Sequence, residues 1–323
     1  MFDLLAIGDA TLDTFLVIDE ATLNCDLQAH HCQLCFNYAD KIPIRDSAQS
    51  VGGNAANVAV GARRLGLQTA LISDLGDDQN GRLIKEQMEK EKVDTGNVRL
   101  LPKKATRYAV VLNYKSERTI LSYYSDRQYR LPPLPPTKWI FYTSLGKTFE
   151  NLQIGLIKHL TKNKEIKLAV NPGSYEIKKG AVEFKKILPY TEILFVNKEE
   201  AEALAGHAKS TLDTIKKLHQ LGAKKVVLTD GHSGSFASDG RNCHSMGIYP
   251  VAAVGKTGAG DAYTGGFLSA VICGENLEAA MRWGTANATG VIQKLGAQKG
   301  LLTRSGIASL IKKYPKINPV IVA

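Results

Sequence analysis

The chain has 323 residues, of which 44% are hydrophobic, and this is enough for one large α/β domain with a sizeable core. Its net charge is +10, but no block of five or more basic residues occurs, so we expect no nucleic-acid partner. The basic excess mildly favours an anionic substrate or nucleotide. Because no apolar run of about 18 residues and no basic leader are present, we expect neither a membrane helix nor a secretory signal.

The five cysteines are an odd number, which argues against a full disulfide framework and, with no secretory signal, predicts a cytoplasmic location. Cys25, Cys32 and Cys35 lie close to His30 and His31, and this group is compatible with a zinc site. A second ligand pair at zinc-finger spacing is missing, so scattered thiols are the alternative.

Short apolar runs alternate with amphipathic stretches, which indicates βαβ units and a mostly parallel sheet. The predicted strands are 4–7, 69–73, 139–143, 167–170, 193–196 and 226–229. The predicted helices are 54–65, 81–92, 149–162, 198–205, 210–221, 259–273 and 276–293.

Two regions break this alternation, at about 13–50 and 105–124. The second is typical of a hairpin that turns near Lys115-Ser116. Together they predict a small β-sheet that forms a lid on a single domain spanning residues 1–323. The free strand edges of such a sheet favour a homodimer through the lid.

A glycine-rich stretch, Gly255-Lys256-Thr257-Gly258-Ala259-Gly260-Asp261, leads into a predicted helix. The unpaired amides at the start of that helix would form an anion site, strengthened by the helix dipole. The alternative is that Asp261 only caps the helix. Walker A loops are excluded because the required first glycines are replaced by Pro250 and Phe141.

Three further segments have polar residues next to predicted strands or helices. Val51-Gly52-Gly53-Asn54-Ala55-Ala56-Asn57 offers amides that suit sugar hydroxyls, or else a helix cap from Asn54. Asn197-Lys198-Glu199-Glu200 follows a strand, so it faces the ligand crevice of an open sheet and suits hydrated magnesium, or else caps a helix. Thr229-Asp230-Gly231-His232-Ser233-Gly234 suits a nucleotide, or else forms a plain hairpin turn.

In chain order, these four segments resemble the signatures of the ribokinase/PfkB family of carbohydrate kinases, and the resemblance runs from Leu4 to about Gln298. It implies a three-layer α/β/α domain with a small β-sheet lid, and ATP and Mg²⁺ as cofactors. It also implies a role for each matching position. Asp261 would be the catalytic base, and the anion hole would be formed by Gly258, Ala259 and Gly260. The substrate would be bound by Asp13, Gly52, Gly53, Asn54 and Asn57, the magnesium by Asn197 and Glu200, and the nucleotide by Thr229, Gly231 and Gly234, with Asn287 near the adenine.

The sequence departs from the family pattern at two places. Gly255 stands where an aspartate often helps to bind potassium, so we predict weak potassium activation, with the ammonium of Lys256 replacing the ion's charge. The glutamate expected at the end of the WIFYTSLG strand is also missing, since Thr143, Ser144 and Gly146 lie there. Specificity for ribose is therefore in doubt.

Three alternatives to a plain sugar kinase remain open. A nucleoside kinase is one, because the family resemblance covers nucleoside acceptors. A phosphorylated sugar is another, with Arg107, Arg118 and Lys147 as candidate contacts. A non-catalytic sensor is the third, although a sensor has no need of the base at Asp261.

Overall fold

A computed structural model describes residues 1–323 except 27–30, 116 and 179–180. Two predictions therefore fall partly outside the described residues. The zinc group loses His30 and the side chain of His31, and the hairpin turn loses Ser116. Within the described chain, helices cover both faces of one ten-stranded sheet, and a separate four-stranded sheet stands beside it. This confirms the predicted α/β/α architecture with a small additional sheet.

The large sheet has the strand order β16-β15-β14-β13-β12-β11-β10-β1-β6-β7. Its parallel strands are β1 (Phe2–Ile7), β6 (Thr69–Gly76), β7 (Asp94–Leu101), β10 (Thr137–Thr143), β11 (Lys167–Asn171), β12 (Thr191–Asn197) and β13 (Lys225–Thr229). The antiparallel edge consists of β14 (Ser235–Ser238), β15 (Cys243–Met246) and β16 (Val320–Ile321).

The helices form the two outer layers because successive residues of a strand point to opposite faces of the sheet. On β1, Leu4 and Ala6 pack into one hydrophobic cluster while Leu5 and Ile7 pack into the other. The first cluster takes in α1 (Asn54–Arg64), α2 (Gln79–Lys90), α8 (Ala259–Ile272), α9 (Leu277–Ile292) and α10 (Arg304–Lys313). The second takes in α3 (Phe149–Lys162), α5 (Ala181–Lys185), α6 (Lys198–Ala205) and α7 (Thr211–Gln220), and the short α4 (Ser174–Lys178) follows β11.

The small sheet has the order β5-β2-β8-β9 and corresponds to the two irregular regions of the sequence. Its strands are β2 (Thr11–Ile18), β5 (Ile44–Gly52), β8 (Tyr108–Tyr114) and β9 (Glu117–Tyr123). Asp13 pairs with Ala109 on β8, and Ala109 pairs with Ser122 on β9, so this row of residues shares one face of the sheet. The predicted hairpin at 105–124 is confirmed by the antiparallel pair β8–β9.

A second hairpin, β3 (Thr22–Asp26) and β4 (His31–Cys35), lies between β2 and β5 in the chain and forms a sheet of its own. Cys25 pairs with Cys32 across this hairpin, and the two form a disulfide. The thiol of Cys35 is free. Among the described residues, no group of three His, Cys, Asp or Glu side chains is placed to hold a metal ion. The structure thus pairs two of the proposed zinc ligands with each other.

Candidate active site

The glycine-rich stretch forms a tight turn into α8, as the sequence predicted. Gly258 precedes the helix with φ of 80°, a left-handed conformation that glycine adopts without strain. A β-carbon at this position would stand 2.5 Å from Cβ of Ala297. The first-turn amides of Gly260 and Asp261 have no acceptor within the helix and point outward. The amide of Ala259 instead donates to Lys256 O at 3.4 Å, so it is partly engaged.

Asp261 lies in the first turn of α8, where it is partly exposed but enclosed by protein on most sides. Its Oδ2 accepts a hydrogen bond of 2.7 Å from Nδ2 of Asn57 on α1. The pKa of Asp261 is raised to about 6, because the effects of burial and of the nearby charge of Asp13 together exceed the lowering by the bond from Asn57. The helix N-cap residue is Gly258 and makes no side-chain cap. Asp261 is thus not the N-cap residue, but it lies in the first turn, where its charge also favours the helix dipole. A carboxylate with this pKa can in addition serve as a general base.

Asn57 is itself held by a residue that the sequence analysis did not select. It is 3% exposed, and its Oδ1 accepts a bond of 3.0 Å from Nε2 of Gln298. The backbone oxygen of Gln298 in turn accepts a bond of 2.8 Å from Arg64. Because each donor in this series has a fixed acceptor, the Asn57 amide is oriented with its NH₂ group toward Asp261.

Asp13 reaches the site from the small sheet. Its Oδ1 accepts a bond of 2.8 Å from Oγ1 of Thr11. Burial raises the pKa of Asp13, whereas the bond from Thr11 and the charge of Arg107 lower it. Gly52 on the neighbouring strand leaves room for this carboxylate, because a β-carbon at that position would stand 2.1 Å from Asp13 Oδ2. The structure thus brings Asp13 and Asp261 into electrostatic contact, as the predicted acceptor site requires.

Asn54 is the first residue of α1, and Gly53 is its N-cap residue without a side-chain cap. The alternative of Asn54 as a helix cap is therefore wrong. Instead Nδ2 of Asn54 donates to Oδ1 of Asn171 at 3.3 Å. Asn171 lies at the end of β11, and its Nδ2 also contacts Oε2 of Glu200 at 3.4 Å. This links the predicted substrate segment to the predicted magnesium segment through a residue that was missed.

Asn197 and Glu200 form a capping box at the start of α6. Glu200 N donates to Asn197 Oδ1 at 2.8 Å, and Asn197 N donates to Glu200 Oε2 at 3.0 Å. The capping alternative is thus realised, yet it does not exclude a second role. Burial raises the pKa of Glu200 to about 7, the bonds from Asn197 and Asn171 lower it, and the charge of Asp261 raises it. A cation beside Glu200 would offset both the cost of burying this carboxylate and its repulsion from Asp261.

These residues fit a magnesium ion bound together with a nucleotide. Mg²⁺ usually takes one or two carboxylates along with waters and phosphate oxygens, and does not need a cage of protein ligands. Glu200 supplies one such carboxylate at the carboxyl end of β12, close enough to Asp261 for their charges to interact.

The segment from Thr229 to Gly234 connects β13 to β14, so a hairpin connection is what the structure contains. Asp230 N donates to Gly234 O at 2.8 Å, which closes the loop. Gly231 and Gly234 both have positive φ, of 50° and 90°. Lys198 of α6 lies 3.5 Å from Asp230, so this loop borders the predicted magnesium segment.

Asn287 occupies a different place from the one expected of a nucleotide contact. It is fully buried on α9, where Nδ2 donates to Ala262 O at 2.8 Å and Oδ1 accepts from Leu302 N at 2.9 Å. Both ends of the amide are therefore engaged within the protein. Its assignment near the adenine stays a prediction, and the contacts give Asn287 the task of holding α8 against α9.

A buried polar cluster behind the site was also missed. Asp9 follows β1 and forms an ion pair of 2.5 Å with Arg107, and their side chains are 1% and 14% exposed. Glu176 on α4 is 1% exposed, and its Oε1 accepts a bond of 2.8 Å from Leu145 N. Burial raises the pKa of Glu176 to about 7. A carboxylate thus reaches the end of the WIFYTSLG strand from another element, where the sequence had shown none.

The rule that ligand-facing residues follow parallel strands would have found Asp9 and Asn171.

Two candidate cations at the site have other partners. Lys256 forms an ion pair of 2.6 Å with Glu117 at the tip of the small sheet. The charge of Lys256 is thus balanced by a carboxylate of the small sheet. The sequence had suggested a different role for Lys256, in place of a potassium ion. Lys147 is exposed and lies 4.0 Å from Asp126.

Comparisons with known proteins agree with this geometry. The family model described as pfkB family carbohydrate kinase matches residues 13–304. The chain is 28% identical to a ribokinase of Haemophilus influenzae, covering 78% of this chain and 84% of the relative. It is 29% identical to a cytidine kinase of Thermococcus kodakarensis, covering 76% and 88%. The structure of Arabidopsis thaliana ribokinase complexed with ribose and ATP has a TM-score of 0.78 at 22% identity, covering 96% of this chain and 99% of that one.

These findings define a phosphotransferase with the ribokinase fold. The chain belongs to the pfkB family of carbohydrate kinases, and it is an ATP-dependent kinase of a sugar or a nucleoside. In the part of the chain that the structure describes, no helix has the length and apolar character needed to cross a membrane.

Proposed function

We propose that this kinase transfers the γ-phosphoryl group of ATP to a hydroxyl of a sugar or sugar derivative, with Asp261 as the general base. The observation that carries the proposal is the pairing of Asp261 with Asn57 at the open amides of α8. The carboxylate accepts the proton of the hydroxyl while its oxygen attacks the phosphorus in line. The amides of Gly260 and Asp261 stabilise the charge on the transferring group.

We assign the acceptor to the side of Asp13, Asn54 and Asn57, and the nucleotide to the side of the Thr229–Gly234 loop. Glu200 would hold Mg²⁺ through water, with Asn197 fixing its carboxylate, and the ion would supply charge neutralisation for the phosphates. The small sheet would serve as a lid that excludes water and limits wasteful hydrolysis of ATP. The contact between Lys256 and Glu117 supports this assignment, because it brings the sheet tip to the anion-hole loop.

An uncharged acceptor fits the site better than an anionic one. Arg107, a candidate contact for an anion, already has Asp9 and Tyr124 as partners. Arg118 on β9 pairs with Asn113 on β8, whereas Asp13 pairs with Ala109, four residues earlier on β8. Four residues of a strand span about 13 Å, so Arg118 lies that far along the sheet from Asp13. Of the candidate cations, therefore, neither Arg107 nor Arg118 is placed to meet an anionic acceptor at Asp13 and Asp261. A nucleoside remains the second candidate, because a cytidine kinase is among the relatives.

The test is a coupled assay of ATP consumption over sugars, sugar acids, sugar phosphates and nucleosides. We expect a neutral polyol or nucleoside to be turned over, and Asp261→Asn to bind ATP normally while turnover falls by about 10³-fold or more. Near-normal turnover in that variant would rule out Asp261 as the base. A wild type that binds ATP but phosphorylates none of the acceptors would favour a sensor.

Three further parts of the proposal concern the ion, the assembly and the location. We propose weak dependence on potassium, because Gly255 offers no carboxylate to bind the ion. We propose a homodimer through the small sheet, whose Tyr108, Leu121 and Tyr123 are 42%, 55% and 41% exposed; light scattering that finds only monomers would contradict it. We propose a cytoplasmic enzyme, and a reducing cytoplasm would open the disulfide that the structure contains between Cys25 and Cys32; fractionation of cells tests the location.

A further inference from the structure

One arginine joins the places where the small sheet meets the large one. Asp9 lies two residues before β2, Arg107 directly before β8, and Tyr124 directly after β9. Arg107 forms the ion pair of 2.5 Å with Asp9 and donates a hydrogen bond to the hydroxyl of Tyr124. Its guanidinium carbon also lies 3.8 Å from the centroid of the Tyr124 ring. Three of the connections between the sheets therefore converge on a single side chain.

The surroundings leave this arrangement few alternatives. Asp9 accepts a second bond of 3.2 Å from the hydroxyl of Tyr129, and its amide donates to Ser144 O at 2.9 Å. A buried ion pair is stable when the remaining lone pairs are satisfied in this way, and removal of one partner leaves an uncompensated buried charge. The guanidinium is planar and bonds in fixed directions, so it sets distances as well as charge.

The same arginine acts on the acceptor side of the site. Its backbone oxygen accepts a bond of 3.3 Å from Leu12 N, the residue before Asp13. Its charge also acts directly on the Asp13 carboxylate and opposes the effect of burial. The other groups that act on Asp13 are the hydroxyl of Thr11 and the carboxylate of Asp261.

We propose that Arg107 is a positioning residue: by holding Asp9 and Tyr124 together, it fixes the roots of the small sheet and presents Asp13 to the acceptor. The proposal gives it no contact with the acceptor, because its Nη1 donates to Asp9 and its Nη2 donates to Tyr124. The kinetic consequences rest on the proposed function, whereas the fixing of the sheet roots does not.

The kinetic test compares wild type with Arg107→Met, using the acceptor found in the screen. We expect the KM for the acceptor to rise by about tenfold to a hundredfold, since small displacements at a site are costly, and the KM for ATP to change much less. Because the acceptor site needs both Asp261 and Asp13 ionised, both groups shape the acid limb of kcat/KM for the acceptor, and it should move to higher pH when Asp13 loses the neighbouring charge of Arg107. Arg107→Lys should recover the position of that limb but only part of the KM.

The matched control is Arg99→Met. Arg99 forms a pair of 2.6 Å with Asp74, between β6 and β7, and its side chain is more exposed than that of Arg107. Among the described residues, its side-chain hydrogen bonds go to Asp74 and not to a residue of the site. It should leave both KM values and the pH profile unchanged. Equal rises in the KM for ATP and for the acceptor, or the same changes in the control, would overturn the proposal.

A second readout does not depend on activity. Amide hydrogen exchange within β2, β8 and β9 should be faster in Arg107→Met, and less so in Tyr124→Phe, which loses one hydrogen bond but keeps the ring. If Arg107→Met does not fold, Tyr124→Phe alone decides, and unchanged exchange in it refutes the anchoring role. If the wild type phosphorylates no acceptor, the proposed function fails while the exchange result still stands.

Discussion

The hydrogen bond from Asn57 to Asp261 sets the pH at which the base becomes active. Nδ2 of Asn57 donates to the carboxylate at 2.7 Å and lowers a pKa that burial raises to about 6. A bond to a charged group contributes roughly 1.5–3 kcal/mol, and one pKa unit corresponds to about 1.4 kcal/mol. We therefore expect Asn57→Ala to raise the pKa of Asp261 by about one to two units.

The assay is the pH dependence of kcat/KM for the acceptor, which reports ionisations of the free enzyme. The acid limb should move from near pH 6 in the wild type to about pH 7–8 in Asn57→Ala. Because Asn57 is also a predicted substrate contact, the position of the limb is compared and the height of the plateau is not.

The control for this experiment is Gln298→Leu. It removes the bond of 3.0 Å to Oδ1 of Asn57 but leaves the Asn57 amide able to reach Asp261, so a smaller shift is expected. If the acid limb in Asn57→Ala stays within a few tenths of a unit of the wild type, the reasoning about this hydrogen bond is refuted.

Four further predictions concern the fold around the site and its response to ions. Gly258→Ala should lower the free energy of unfolding by about 1–3 kcal/mol, and abolish turnover, because its β-carbon would overlap Ala297; urea unfolding measures this, and a neutral result contradicts the close contact. Burial raises the pKa of Glu176 from its ordinary value of 4.5 to about 7, so its contribution to stability is complete below pH 4.5 and lost as the pH rises through 7. Glu176→Gln should remove this slope, worth roughly 3 kcal/mol, between pH 5 and pH 8, and an unchanged slope contradicts it. Lys256→Met should change stability by less than about 1 kcal/mol, since the pair with Glu117 is exposed, but should raise hydrolysis of ATP without acceptor. Equal turnover in potassium and sodium salts is expected in the wild type.

The central strands could be predicted because both faces of a parallel sheet are buried, so that runs such as Leu4–Ile7 are apolar throughout. The edge strands β14, β15 and β16 were not predicted. They are short, and β16 is exposed, so they lack such a run. The hairpin β3–β4 was missed for the same reason, since all described residues of β3 are exposed.

The candidate site was predictable where one short segment contains the chemistry. The turn at Gly258 and the carboxylate at Asp261 beside it are of this kind, while the role of Asp261 as a base stays a prediction. Contacts between distant segments were not predictable, and the bond from Gln298 to Asn57 joins residues 241 positions apart. Glu176 reaches the end of β10 from another helix, so no local pattern at that strand could reveal it.

The independence of the hairpin β3–β4 has a practical consequence. It pairs only with itself and is inserted between two strands of the small sheet, so a change in it leaves the ladder of that sheet intact. A fluorescent dye attached to Cys35 would therefore ride on the small sheet, whereas one on the exposed Cys273 marks the end of α8. Energy transfer between the two dyes would report the movement of the small sheet that the proposed lid requires.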